Sequence, residues 1–208
     1  MDTAKRESAS AYRNESPIAD QLVRLLGDAQ GDVVEVASGT GQHAVAFSTA
    51  LPNLTWWPTD IDPANLASVD AWRNEAGPAT LQAAQPLDVS SDAWTTGAPI
   101  PPLPDTAQAI VCINMVHISP WLVTEGLFAG ARRRLVPGGL LFLYGPYRRQ
   151  GRHTSEGNSR FDISLRAQDS RWGIRDLEAV QALGQVHQFT LAEVVDMPAN
   201  NLSLIFRL

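Results

Sequence analysis

A short β-prone run, Asp32 to Val36, leads through Ala37 into Ser38-Gly39-Thr40-Gly41, and Gly41 to Ala50 then has helical character. A strand that turns through closely spaced glycines into a helix constrains the fold strongly. Glycine tolerates left-handed backbone and lets a ligand approach the main chain, while the first turn of a helix offers unpaired N–H groups. The unit therefore predicts helices packed on a mostly parallel sheet, with a nucleotide-like ligand at the sheet's carboxyl edge. The spacing alone leaves alternatives open. Gly39, Gly41 and Ala44 also satisfy the Gly-x-Gly-x-x-Gly/Ala pattern of dinucleotide folds, and a turn without a ligand needs the same glycines.

The rest of the chain continues the alternation. Ser16-Pro17 reads as an N-cap and a first-turn proline, and Ile18, Leu22, Leu25 and Leu26 follow at helical spacing. Leu54 to Trp57 is a second strand, Asp62-Pro63 opens a helix, and Leu81 to Leu87 is a weaker third strand before a proline-rich loop from Ala98 to Pro104. Ala109 to Asn114 is apolar enough for a central strand buried on both faces. Ser119-Pro120 caps the next helix, whose last turn carries Arg132, Arg133 and Arg134 as a solvated end matched to the helix dipole. Pro137-Gly138-Gly139 breaks the chain before a buried strand at Leu140 to Tyr144. The polar stretch 145–172 reads as a lid or insertion, and Ile174 to Leu183 as a helix. Phe189 to Asp196 and Asn201 to Phe206 are strands joined only by Met197-Pro198-Ala199-Asn200, which favours an antiparallel hairpin.

Size and composition narrow the class. A chain of 208 residues suits a single α/β domain over 1–208. Apolar residues at 44% against 18% charged residues exclude a disordered chain, and a net charge of −6 argues against nucleic acid as a default partner. Cys112 is the single cysteine, which excludes an internal disulfide and suits a reducing compartment. Met1 to Glu15 is polar and no run of about 18 apolar residues occurs, so a cytoplasmic protein without signal peptide or membrane span is expected. His43, His117, His153 and His187 are scattered, so no metal site is expected.

The second strand leads to Thr59-Asp60, and Asp60 stands about 20 residues beyond the glycine loop, the place for a carboxylate that accepts from ribose hydroxyls. A helix before the first strand, Glu35 near that strand's end and the terminal strand pair favour S-adenosylmethionine over a nicotinamide cofactor. Glu35-Val36-Ala37-Ser38-Gly39-Thr40-Gly41 resembles the first motif of class I methyltransferases, acidic-x-Gly-x-Gly-x-Gly, with Ala37 replacing the first glycine. More narrowly, the chain is similar to a poorly characterised methyltransferase-like family of bacteria and animals. That likeness runs through Arg13-Asn14, Ala37 to His43, Asn114 to Trp121, Tyr144-Gly145-Pro146-Tyr147, Trp172 to Asp176 and Met197 to Asn201.

The resemblance implies a Rossmann-like, three-layer α/β sandwich with six parallel strands and an antiparallel seventh. It implies S-adenosylmethionine as cofactor and S-adenosylhomocysteine as product. Glu35 would then serve the cofactor ammonium, Asp60 the ribose, Ile61 the adenine face and Asp88 the adenine amino group, with Ala37, Ser38, Gly39, Gly41, His43, Val89 and Asn114 completing the set. Residues that follow the strands converge on one crevice. His117 is accordingly a candidate base, an imidazole that equally suits a bond to a helix start or loop, and Tyr144 is a second catalytic candidate. Arg13, Met115, Tyr147, Asn158, Trp172, Arg175, Asn200 and Asn201 are candidate contacts to a small-molecule acceptor methylated on oxygen or nitrogen. A non-catalytic S-adenosylmethionine-binding regulator and an NAD-dependent oxidoreductase stay open, as does the oligomeric state.

Overall fold

The computed structural model describes residues 4–208, so the first three residues of the polar Met1 to Glu15 stretch lie outside it. Alternating strand residues face opposite ways, and both sets are apolar here, so the sheet must be covered on both sides. Val33, Trp56, Val111 and Phe142 enter one core; Val34, Ile110, Leu141 and Phe206 enter the other. The strands are β1 Gly31–Val36, β2 Leu54–Asp60, β3 Gln85–Pro86, β4 Ala107–Ile113, β5 Leu135–Gly145, β6 Thr190–Met197 and β7 Asn201–Arg207. They form one sheet in the order β3-β2-β1-β4-β5-β7-β6, with β7 antiparallel to both of its neighbours and the remaining pairs parallel.

Helices α1 Ala9–Leu26, α2 Gln42–Ala50 and α3 Pro63–Ala76 supply the first core, through residues such as Ile18, Phe47 and Val69. Helices α4 Asp92–Thr96, α5 Trp121–Arg134 and α7 Leu177–Val186 supply the second, through Trp94, Phe128 and Val180. Helix α6 Glu156–Gln168 lies in the segment expected to be a lid or insertion. The chain has the Rossmann-like, three-layer fold of class I methyltransferases.

Several boundaries differ from expectation for identifiable reasons. Helix α1 starts seven residues before Ser16, at Ala9, where the Ser8 side chain accepts from the Ala11 N–H, and it carries Pro17 inside rather than at its first turn. Strand β3 pairs only at Gln85–Pro86, since proline gives no donor to the ladder, with one further bridge from Leu81 to Trp56. Helix α4 was not anticipated; Ser91 caps it by accepting from Trp94 N–H. Ser119 does not cap α5, because its hydroxyl donates to the Met115 carbonyl at 2.8 Å. Arg134 is not solvated either: it is buried, donates to the carbonyls of Ala93 and Ala98, and lies over Trp94. Strand β5 already pairs with β4 at Leu135, and a register shift absorbs Pro137-Gly138-Gly139. Helix α7 begins at Leu177 rather than Ile174, after Asp176 has paired its carboxylate with Arg148 and the Gly151 N–H. Among the described residues no helix is long and apolar enough to cross a membrane.

Candidate cofactor and acceptor site

The β1–α2 turn holds three alternate residues at positive φ: Ala37 at 58°, Gly39 at 58° and Gly41 at 93°. Each has its own reason. A Cβ on Gly41 would lie 2.6 Å from the Val69 Cα, so glycine there lets α3 approach the turn. A Cβ on Gly39 would meet nothing within 4 Å, because that residue borders open space. Ala37 carries a side chain in a conformation that costs an L-residue roughly 1–2 kcal/mol, and strain of this kind collects at ligand sites. Replacing it should relieve that cost at the expense of a more flexible unfolded chain. We therefore expect Ala37→Gly to raise the unfolding free energy by at most about 1 kcal/mol, read by thermal unfolding, whereas Ala37→Val should lower it.

The turn is stitched to the end of β2. Ser38 N–H donates to the Thr59 carbonyl at 2.8 Å, and Ser38 Oγ accepts from the Thr59 N–H. Asp60, 4% exposed, accepts from the Gly39 N–H at 2.9 Å with one oxygen and from the Asp62 N–H at 2.9 Å with the other. A carboxylate has about four lone-pair sites, so two remain for a ligand. Its position is fixed before any ligand arrives.

Two cavities adjoin this turn and share Ala37, Gly39 and Ile118 as walls. The larger, of about 450 Å³, has Asp60, Ile61, Asp88 and Val89 on one side, and Met115, Pro120 and Trp172 among its other walls. The smaller, of about 220 Å³, is bounded by Glu35, Ser38 and His43, by Asn114 at the end of β4, and by Ser10 and Asn14 of α1. Glu35 is its unusual member. The carboxyl group is 1% exposed and accepts from Trp56 Nε1 at 2.7 Å, and burial, reinforced by the Asp60 charge, pushes its pKa up to about 7. An acid held this way rewards a cationic ligand group. His43 stacks on Phe47 and contacts the Ala11 carbonyl through Nε2, and burial lowers its pKa.

Of the residues singled out in the sequence, Ala37, Gly39, Asp60, Ile61, Asp88, Val89, Met115 and Trp172 line the larger cavity. Glu35, Ser38, His43 and Asn114 line the smaller. Others stand elsewhere. His117 is fully buried beside Tyr147, its Nδ1 accepts from the Arg175 N–H, and burial with the nearby Arg175 charge pushes its pKa down to about 3. It is therefore neutral, walled off from both cavities, and in no position to take a proton there. Its Nε2 side packs on Gly145, where a Cβ would sit 2.6 Å away. Tyr144 is 1% exposed and its hydroxyl accepts from Asn201 Nδ2 at 2.9 Å. Tyr147 is buried in the second core. Asn158 donates to Thr154 Oγ1 and to the Asn200 carbonyl, tying α6 to the β6–β7 link, while Arg13 and Asn200 are exposed away from the cavities.

Arg175 acts on the walls rather than in the space. Its guanidinium donates to the carbonyls of Val116, Ser119 and Arg171, joining the β4–α5 connection to the loop that carries Asp169, Arg171 and Trp172. Asp162 holds the same loop from α6 by accepting from the Ile174 N–H at 2.6 Å. Arg175→Ala should lower stability by about 2 kcal/mol and weaken ligand binding in the larger cavity. Arg175→Lys should recover less than half, since an ammonium cannot span three carbonyls with a planar fork. Thermal unfolding and calorimetry of the two variants test this.

Sequence reasoning missed the α1 residues Ser10 and Asn14, because Ser16-Pro17 has the pattern of a helix start. The signal was present: Ala11, Ile18, Leu22 and Leu26 are buried on one face, and Asn14, three residues after Ala11 and four before Ile18, interrupts that face with an amide. Ile118, Ser119 and Asp169 carried no such signal. Among the described residues no group of three or more His, Cys, Asp or Glu side chains is placed to hold a metal ion.

Solved structures share this architecture at low sequence identity. An O-methyltransferase family 2 protein from Planctomyces limnophilus, in complex with apigenin, superposes with a TM-score of 0.78 and 16% identity over 96% of this chain and 58% of its own. An O-methyltransferase family protein from Burkholderia thailandensis gives 0.73 and 14%, over 93% and 55%. Human N-acetylserotonin methyltransferase in complex with SAM gives 0.68 and 15%, over 85% and 47%. The chain thus spans roughly half to three-fifths of the length of these proteins, and the likeness shows the fold alone. A family model matches residues 5–208, and on that match the chain belongs to the family described as Protein of unknown function (DUF938).

Proposed function

We propose that the chain is an S-adenosylmethionine-dependent methyltransferase that modifies a small molecule on oxygen or nitrogen and releases S-adenosylhomocysteine. The observation that carries the reading is Asp60, fixed by the Gly39 and Asp62 N–H groups at the edge of the larger cavity with lone pairs to spare. The residues fit the cofactor. Asp60 would accept from the ribose hydroxyls, Ile61 and Val89 would flank adenine with Asp88 at its amino group, and Glu35 would meet the ammonium in the adjoining cavity. When bound, the cofactor would supply an electrophilic methyl group to the acceptor's lone pair, with the electrons of the old C–S bond left on sulfur and the acceptor's proton lost to bulk solvent as product leaves.

The chain's own part is to bind, orient and exclude water. Orientation and desolvation account for much of the acceleration in such a transfer, and with His117 buried and neutral the reading needs no dedicated base. We further propose that the 145–172 segment serves as a wall of the site, held by Asp162, Arg175 and Asn158, within a single domain. A reducing, cytoplasmic setting accords with the one buried cysteine. The neighbours bound to apigenin and to SAM support a small-molecule acceptor and this cofactor.

The test is thermal stabilisation by S-adenosylhomocysteine against NAD, since a ligand that binds only the native state raises apparent stability. Stabilisation by S-adenosylhomocysteine alone supports the reading; stabilisation by NAD alone supports an oxidoreductase. Binding without S-adenosylhomocysteine formation from any metabolite pool supports a non-catalytic regulator.

A further inference from the structure

The smaller cavity has an unusual chemistry. Its walls include two side-chain amides, Asn14 from α1 and Asn114 from the end of β4, and among the described residues neither amide makes a hydrogen bond to protein. Each offers two N–H donors and one carbonyl acceptor. Asn114 is also held at a positive φ of 63°, by its N–H on the Tyr144 carbonyl and its own carbonyl under the His117 N–H. Asparagine tolerates that conformation better than other residues with a side chain, and it holds the amide at the strand end beside the cavity. Asn14 lies on the inward stripe of α1, between Ala11 and Ile18, where packing alone would favour an apolar residue.

Helix α1 is tied to the glycine turn. Gln42, directly after the glycine turn, accepts from the Ser8 N–H at 2.6 Å and donates to the Ser8 carbonyl, and His43 contacts the Ala11 carbonyl at 3.1 Å. The turn that would bind cofactor therefore also sets the distance between Asn14 and Asn114.

We propose that this cavity is the acceptor subsite, in which Asn14 and Asn114 read a compact, uncharged molecule bearing both a hydrogen-bond donor and an acceptor, an alcohol or an amide. The proposal rests on the methyltransferase reading. Among the described residues Glu35 is the only acidic side chain on the walls, and no lysine or arginine stands among them to pair with an anionic acceptor. At about 220 Å³ the space lies below the roughly 300–1,000 Å³ of sites for drug-sized ligands, and it must also admit the polar tail that Glu35 would meet. A planar polyphenol such as the apigenin of the Planctomyces enzyme exceeds it.

The experiment has a binding arm and a structural arm. Calorimetry with S-adenosylhomocysteine comes first; absence of binding removes the cofactor reading, and the acceptor proposal falls with it. Crystals of the S-adenosylhomocysteine complex are then soaked separately with acetamide, propane-1,2-diol and apigenin. The expected result is acetamide or the diol between Asn14 and Asn114, with apigenin excluded. Asn14→Leu, a change on a half-exposed helix position, should lose the probe at least about tenfold in affinity when both proteins are saturated with S-adenosylhomocysteine. Probes found only against the Asp169–Trp172 loop, apigenin seated in the smaller cavity, no probe in the cavity at all, or unaltered probe binding by Asn14→Leu overturns the assignment while leaving the cofactor reading intact.

Discussion

Asp60→Ala is expected to weaken binding of S-adenosylhomocysteine on the order of 100-fold or more, since two hydrogen bonds to a charged acceptor are lost. The side chain has a second duty, because its oxygens also anchor the Gly39 and Asp62 N–H groups. Part of the loss will therefore come from a loosened turn. The two contributions separate with a ligand analogue that lacks both ribose hydroxyls. If Asp60 holds the ribose, wild type should bind the analogue much more weakly than the parent, and Asp60→Ala should bind the two alike, which is the coupling a double-mutant cycle measures. Equal discrimination by both proteins would place the ribose elsewhere. A modest fall in melting temperature for Asp60→Ala, with circular dichroism unchanged, confirms that the variant is folded.

The parts of this site that were legible in sequence are those built from contiguous chain. The strand, the glycine turn and Asp60 fall within 30 residues, and their roles follow from backbone geometry and a single strand pairing, β1 with β2. The antiparallel β7 was likewise accessible, because the four-residue link before Asn201 permits little else. What failed was side-chain direction. After β4 the chain enters a 3-10 turn, Met115–His117, in which residues three apart share a face. Met115 and Ile118 accordingly line the larger cavity, while His117 turns beneath it toward Gly145. No pattern in the segment announces that choice. Pro17 misled in another way: proline suits a first turn, yet here it sits mid-helix, above Arg13, whose carbonyl loses its helical donor on an exposed stretch. The inward stripe of Ala11, Ile18, Leu22 and Leu26 runs straight across that proline and was the better guide.

Glu35→Gln is expected to make the ligand-free protein more stable and its cofactor binding weaker, and both effects should depend on pH. Burial keeps a proton on Glu35 up to about pH 7, whereas the unfolded chain releases it near the ordinary value of 4.5. Between those values the folded state holds more protons than the unfolded one, so stability falls as pH rises through the window and the full cost is present above it. A shift of this size corresponds to something on the order of 3 kcal/mol at pH 8, and the glutamine variant should recover a large part of it. It should show little of the wild-type decline between pH 5 and 8. Binding moves the other way. A cationic ammonium beside Glu35 favours the carboxylate, so complex formation should expel a proton near pH 7, and wild-type affinity should improve about tenfold from pH 6 to pH 8. Calorimetry in two buffers of different ionisation enthalpy counts that proton directly. Glu35→Gln should release none and bind with a flat pH profile, weaker than wild type at pH 8. If wild type itself releases no proton and its affinity is level across the range, the ammonium does not meet Glu35, and the carboxyl is then a structural partner of Trp56 alone.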